Sequence, residues 1–179
     1  MNDRAMDVLD FWWQAGPAEW FRADPGFDER CRDTLLALHE EAAAGALDGW
    51  QETPHGTLAL LILLDQIPRN VFRGTPRAFA TDDKALAIAR RAMEEGFPRA
   101  YPKDVRVFFY LPFTHAEDMA AQEICVDMTR PLGMEVYHYA LIHMDAIRRF
   151  GRFPHRNAIL GRPSTPAEEA YLASGGFKG

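Results

Sequence analysis

A block of basic residues without acidic neighbours lies late in the sequence. Between Ala146 and Ala167 the chain has no aspartate or glutamate, but it contains Arg148, Arg149, Arg152, His155, Arg156 and Arg162. Guanidinium groups hold carboxylates and phosphates through paired hydrogen bonds, and a short helix after Pro154 would add free backbone N–H groups. The block therefore predicts a surface that binds a small anion. The alternative is that these arginines pair with carboxylates of other helices.

A second polar segment follows the apolar run Leu58–Leu64. It contains Asp65, Arg69 and Asn70, with Arg73 close behind. Charged groups that leave a buried helix must be paired or face a water-filled cleft, because an isolated buried charge is too costly. A structural ion pair of Asp65 with an arginine, plus a turn at Pro68, is the alternative. Together the two segments supply the candidate ligand-binding residues Asp65, Arg69, Asn70, Arg73, Arg152, His155, Arg156 and Asn157.

Three histidines and one glutamate are candidates for catalysis: His115, His143, His155 and Glu117. Imidazole titrates near neutral pH, so a histidine could act as a general acid or base with Glu117 or Asp65 as its partner. The same side chains could hold zinc or iron, but their spacing matches no metal-binding pattern and we predict no metal. Glycine-rich phosphate loops and the common hydrolase motifs are absent, so no cofactor is predicted either. Whether the chain is an enzyme stays open.

Helical periodicity organises the whole chain. Capping-box spacings at Thr114-x-x-Glu117 and Thr165-Pro166-x-Glu168 mark helix starts, and glycines such as Gly151 mark helix ends. The predicted helices cover about residues 5–14, 28–44, 54–67, 82–93, 105–111, 114–128 and 136–150, with a last one after Thr165. Short connections predict antiparallel helical hairpins, and so an all-α single domain over residues 1–179 that frays after Ala173.

Composition limits the partners. The net charge of −6 argues against nucleic acid, whose binding depends on basic groups that neutralise phosphates. The apolar run Leu58–Leu64 is too short to cross a bilayer, and Met1–Asp10 lacks the features of a secretory signal. Cys31 and Cys125 lie far apart, which disfavours a disulfide framework. We therefore expect a cytoplasmic protein without membrane or nucleic-acid partners.

Three motifs carry a family resemblance. Residues 64–70, 113–117 and 150–157, the last followed by Leu160-Gly161-Arg162, resemble the bacterial domain-of-unknown-function family 924 over nearly the whole chain. The resemblance implies an all-α fold like that of tetratricopeptide-repeat proteins, an α-α superhelix. It implies no established activity, so function has to be argued from the site residues.

Our leading hypothesis from the sequence is a soluble helical protein that binds a small carboxylate or phosphate in a cleft between hairpins. The residues that would hold the anion are Arg69, Arg73, Arg152 and Arg156, and those that would orient it are Asn70, His155 and Asn157. One alternative is an enzyme that uses a histidine as general acid or base. Another is a scaffold for a peptide or protein, which predicts an exposed apolar groove.

Overall fold

All regular structure in residues 3–179, the part of the chain that the computed structural model describes, is helical. This confirms the all-α fold class, while the tetratricopeptide-like arrangement of hairpins stays a prediction. No helix among these residues is both long and apolar enough to cross a membrane. The α-helices are α1 (Asp3–Ala15), α2 (Pro17–Trp20), α3 (Pro25–Ala43), α4 (Pro54–Leu61), α5 (Ile67–Val71), α6 (Asp82–Glu94), α7 (Lys103–His115), α8 (Met119–Thr129), α9 (Met134–Phe150) and α10 (Pro166–Ala173).

The helices group into two compact units within the span that the sequence predicts as one domain. The first unit ends at Pro112 and the second covers Phe113–Gly179. The boundary falls inside α7, at a proline that lacks the N–H of a regular helical hydrogen bond. Each unit has its own buried side chains.

The core of the first unit is built around α4 and an aromatic cluster. Residues Leu58–Leu64 are all buried, which confirms the predicted core helix. Around Trp12, the rings of Trp20, Phe27 and Phe108 have their centroids within 5.8–6.2 Å. Such stacked and edge-on pairs add stability beyond the area that they bury.

The core helix continues past Pro68 through a wider turn. A π-helical segment, Ile62–Gln66, joins α4 to α5, and the N–H of Ile67 bonds to the carbonyl of Ile62. A proline within a regular α-helix clashes with the carbonyl four residues earlier. Widening the turn relieves that clash. The predicted end of this helix at about residue 67 is therefore wrong, and the helix runs to Val71.

Two backbone carbonyls in this segment are satisfied by side chains from other helices or loops. His39 donates from Nδ1 to the carbonyl of Leu63 at 2.8 Å, and the Thr81 hydroxyl donates to the carbonyl of Leu64 at 2.5 Å. Those are the carbonyls that the π turn and Pro68 leave without regular backbone donors. The side chains thereby replace the missing helical hydrogen bonds.

Leucine in place of His39 should lower the free energy of unfolding of the first unit by about 1–3 kcal/mol, because a buried carbonyl loses its donor. Urea denaturation followed by tryptophan fluorescence measures this, since all four tryptophans, residues 12, 13, 20 and 50, lie in this unit. The control is leucine at His55, whose side chain is exposed. Equal losses in the two variants would contradict the assigned role of His39.

The second unit begins differently from the sequence prediction. Thr114 lies inside α7, so the predicted capping box of Thr114 with Glu117 is wrong. The N-cap of α8 is Asp118, whose carboxylate accepts from the backbone N–H groups of Ala120 and Ala121. Because Asp118 satisfies these two donors, Glu117 is available for contacts elsewhere in the unit.

The late helices match their predicted signals. α9 ends at Gly151, which has φ +68°, a conformation that favours glycine. The capping box of Thr165 with Glu168 at the start of α10 is confirmed. Between these helices the chain forms a 3-10 turn, Pro154–Arg156, and the core beneath it contains Ala146, Ile147, Phe153 and Tyr171.

Candidate functional site

The polar segment after the core helix is paired within the first unit. Arg69 makes two 3.0 Å hydrogen bonds to the carboxylate of Asp82 and lies 3.5 Å from the buried carboxylate of Asp65. Gln66 donates to the same Asp65 at 2.6 Å. Asp82 is the first residue of α6, so the partner of Arg69 lies in the first turn of that helix. This arrangement is the structural ion pair that the sequence left as an alternative.

Asn70 and Arg73 converge on one carboxylate. Asn70 donates to Asp28 at 2.9 Å, and Arg73 donates two hydrogen bonds to it at 2.7 and 2.8 Å. The three residues line a surface groove of about 400 Å³ that also contains Arg32 and the acidic side chains of Glu29 and Asp33. Carboxylates outnumber guanidiniums in this groove, so its charge does not favour an anion.

In the second unit, arginines of the basic block, residues 148–162, form ion pairs in α9 and in the loop between α9 and α10. Arg152 donates to Glu168 at 2.7 and 2.9 Å and to the carbonyl of Pro163 at 2.9 Å. Arg148 and Arg149 pair with Asp145, one turn earlier on α9. These three arginines therefore support the loop and its preceding helix.

Glu117 also stabilises the loop between α9 and α10. Its carboxylate accepts two hydrogen bonds from Arg162, at 2.6 and 2.9 Å, and one from the N–H of Phe153 at 2.7 Å. Burial acts against the charged form, yet these bonds hold the pKa of Glu117 below its usual value. Asn157 is fully buried and links Arg162 to Ser164. Asn157 and Glu117 thus have structural partners.

The second unit also gathers three histidines around Phe177. The ring centroid of His143 lies 4.2 Å from that of Phe177 and 6.4 Å from that of His115. His155 meets Phe177 edge-on at 5.1 Å. Arg156, which is 6 % exposed, places its guanidinium carbon 4.6 Å from the centroid of Phe153. We call His115, His143, His155, Arg156, Phe153 and Phe177 the histidine cluster.

The imidazoles of His143 and His155 are neutral near pH 7. Burial lowers the pKa of His143 to about 3, although its hydrogen bond to the Tyr139 carbonyl favours the charged form. Burial and the nearby charge of Arg156 lower the pKa of His155 to about 4. Nδ1 of His143 donates to the Tyr139 carbonyl at 2.7 Å, so Nε2 of that ring carries the lone pair.

One buried ring nitrogen of the histidine cluster lacks a hydrogen-bond partner. Nδ1 of His155 is inaccessible to solvent and has no hydrogen-bond partner within residues 3–179. Buried polar atoms in folded proteins nearly always have a partner, so an orphaned one calls for an explanation. A bound ligand would supply the missing partner. As for metals, no group of three or more histidine, cysteine, aspartate or glutamate side chains in the described chain is arranged to hold one.

The tail that the sequence predicts as frayed contributes to the histidine cluster. Phe177 is half-buried and packs against the core of the second unit. The sequence singled out His115, His143, His155 and Arg156, but it gave no reason to include Phe177 or the stacking of Arg156 on Phe153. A lone aromatic residue after two glycines is a weak signal for a packed tail.

Fold and site together define an all-α protein with a histidine- and arginine-containing cluster in its second unit. The model of a bacterial protein family of unknown function, DUF924, matches residues 8–176, and the chain belongs to this family. A solved structure of a protein of unknown function from Agrobacterium tumefaciens, ATU0120, is 49% identical, with a TM-score of 0.94. The match covers 96% of this chain and 98% of that one. A comparison with curated proteins finds no match.

Proposed function

We propose that this protein binds a small anion, a carboxylate or a phosphate, at His143, His155 and Arg156 in the second unit. The observation that carries the proposal is the buried guanidinium of Arg156 beside a neutral imidazole whose Nδ1 has no partner. A guanidinium in a mostly desolvated setting forms strong, charge-assisted hydrogen bonds with an anion. The orphaned ring nitrogen of His155 offers a further hydrogen bond.

The other arginines that the sequence predicts as anion ligands are assigned structural roles. Arg69, Arg73 and Arg152 each already make two hydrogen bonds to one carboxylate of the chain. A ligand anion would have to displace that carboxylate. These three arginines are therefore not part of the proposed site.

General acid or base catalysis by a histidine is less well supported than binding. An efficient catalytic base has a pKa near the working pH. Burial holds the pKa of His143 at about 3 and that of His155 at about 4, which makes both weak bases. Glu117, the predicted carboxylate partner, is engaged by Arg162.

A peptide-binding scaffold has less support as well. The large apolar side chains that are exposed in the described residues are Phe21, Met134 and Tyr139, and Phe21 belongs to the other unit. Scattered exposed apolar residues are normal for a globular protein and do not form a groove. Cytoplasmic location and the absence of a nucleic-acid partner stay predictions of the sequence.

The test is sulfate binding, measured by isothermal titration calorimetry. Glutamine at Arg156 should weaken sulfate binding at least about tenfold, because a charge-assisted hydrogen bond contributes about 1.5–3 kcal/mol. Lysine at the same position retains the charge but not the planar fork, so an intermediate affinity is expected. Glutamine at Arg148, an exposed residue paired with Asp145, is the control and should bind as the wild type does. A folded R156Q protein with wild-type affinity would overturn the proposal.

A further inference from the structure

The tail after α10 turns back onto its own helix. Gly175 has φ +89°, which favours glycine. A Cβ atom on Gly176 would lie 2.6 Å from the ring of Tyr171, so this position also requires glycine. The N–H of Gly176 donates to the Tyr171 carbonyl at 2.9 Å, and that of Phe177 donates to the Tyr171 hydroxyl at 3.0 Å. These contacts direct the side chain of Phe177 into the histidine cluster.

The ring of Phe177 fills a slot with three aromatic walls. His143 lies at 4.2 Å with a tilt of 52°, His155 is perpendicular at 5.1 Å, and Phe153 is at 6.2 Å, all between ring centroids. The separations from His155 and Phe153 lie within the roughly 4.5–7 Å that aromatic pairs prefer, and His143 is closer. The walls would accept any flat ring of similar size, since nothing in them is specific to a phenylalanine side chain.

The cation of the proposed site adjoins this slot. Arg156 stacks on Phe153, which is one wall, and Nδ1 of His155, a second wall, is the orphaned nitrogen. A molecule whose ring entered the slot would therefore bring a group attached to that ring near Arg156 and His155. The complementary group is an anion.

The hydrogen bonds that hold Phe177 are local. Both hydrogen bonds that anchor Gly176 and Phe177 go to one residue, Tyr171, and Phe177 is only half-buried. The ring contacts of Phe177 hold the tail as well, and a Cβ atom on Gly179 would lie 3.2 Å from the ring of His155. None of these contacts is a backbone hydrogen bond of α10, so displacing the tail from the slot would leave the bonds within that helix in place.

We infer that the ligand of this site is a small aromatic carboxylate, and that Phe177 occupies the place of its ring. The carboxylate would meet Arg156 and His155, and the ring would stack between His143 and His155. This inference rests on the proposed anion site and adds the chemical class of the ligand. Phe177 competes with the ligand, so its removal should strengthen binding.

Calorimetry at pH 7 with phenylacetate, acetate and benzyl alcohol tests the inference. Alanine at Phe177 should bind phenylacetate at least about tenfold tighter than the wild type, while its affinity for acetate changes less than about twofold. Benzyl alcohol, which has the ring without the charge, should bind this variant at least about tenfold more weakly than phenylacetate. Alanine at Phe21, an exposed phenylalanine of the first unit, is the control and should change nothing.

A second variant should also empty the slot, without removing the side chain of Phe177. Alanine at Gly176 places a Cβ against Tyr171 and should displace the tail while Phe177 is retained. This variant should show the same increase in affinity for phenylacetate. It replaces F177A in the test if F177A does not fold. Phenylacetate that binds either folded variant no tighter than acetate would overturn the ring slot and leave Arg156-dependent sulfate binding intact. Sulfate binding that is independent of Arg156 would instead overturn the proposed anion site itself.

Discussion

Glutamine in place of Glu168 should lower the free energy of unfolding of the second unit by about 3 kcal/mol at pH 7. The Glu168 side chain is 2 % exposed and accepts hydrogen bonds from Arg152 at 2.7 and 2.9 Å and from the N–H of Thr165 at 2.7 Å. The bonds from Arg152, followed by those from Thr165, lower the pKa of Glu168 to about 2. The charge of Glu168 therefore stabilises the folded unit.

The effect of this substitution should depend on pH in a defined direction. The pKa of Glu168 falls from 4.5, its ordinary value, to about 2 in the folded protein. Its stabilisation is complete above about pH 4.5 and is lost as the pH falls towards 2. The difference in stability between the wild type and E168Q should shrink over that interval.

Amide hydrogen exchange of α10 is the appropriate measurement for Glu168. Tryptophan fluorescence does not report on this unit, because all four tryptophans precede Pro112. Glutamine at Glu169, the exposed neighbour on the same helix, is the control and should change stability by less than about 0.5 kcal/mol. Equal losses in E168Q and E169Q would show that the bonds to Arg152 and Thr165 do not stabilise the unit.

Sulfate binding should become tighter as the pH falls from about 6 to about 4, by up to about tenfold per pH unit for each proton taken up. His143 and His155 are neutral in the free protein, because burial holds their pKa values at about 3 and about 4. A bound anion favours the protonated imidazole and raises its pKa, so binding and protonation assist one another. The charged and titratable groups facing these two rings are Arg156, Arg162, His115 and Glu117.

Sulfate is a suitable probe because it keeps its charge throughout this pH range. Glutamine at His155 should flatten the dependence of affinity on pH. The matched control is glutamine at His138, an exposed histidine on α9, which should preserve it. An affinity of the wild type that does not vary between pH 6 and 4 would mean that the imidazoles do not contact the anion.

Local sequence signals predicted the helices well where a helix depends on its own residues. The end of α9 at Gly151 and the start of α10 at Thr165 follow from such signals. Local signals do not predict that the core helix continues past Pro68. The carbonyls of Leu63 and Leu64 receive their hydrogen bonds from the side chains of His39 and Thr81. Those partners lie 24 and 17 residues away from the carbonyls they serve, beyond the reach of local patterns.

The sequence identified which residue types form the candidate site, but it could not identify the residues with which they pair. The sequence left open whether the arginines bind an anion or pair with carboxylates of the chain, and Arg73 and Arg162 have their carboxylate partners 45 residues away. His143, a candidate for catalysis in the sequence, is buried. Phe177 escaped prediction because glycine-rich tails are usually unordered, and its slot exists only once the unit has folded.

Long-range proton–nitrogen NMR spectra of the imidazoles, recorded during a sulfate titration, test the central claim most directly. If the anion binds at the histidine cluster, the signals of His143 and His155 shift with one common dissociation constant, while those of His39, His55 and His138 stay in place. A titration in which His143 and His155 do not shift, or in which all the histidines shift alike without saturating, would contradict anion binding at this site.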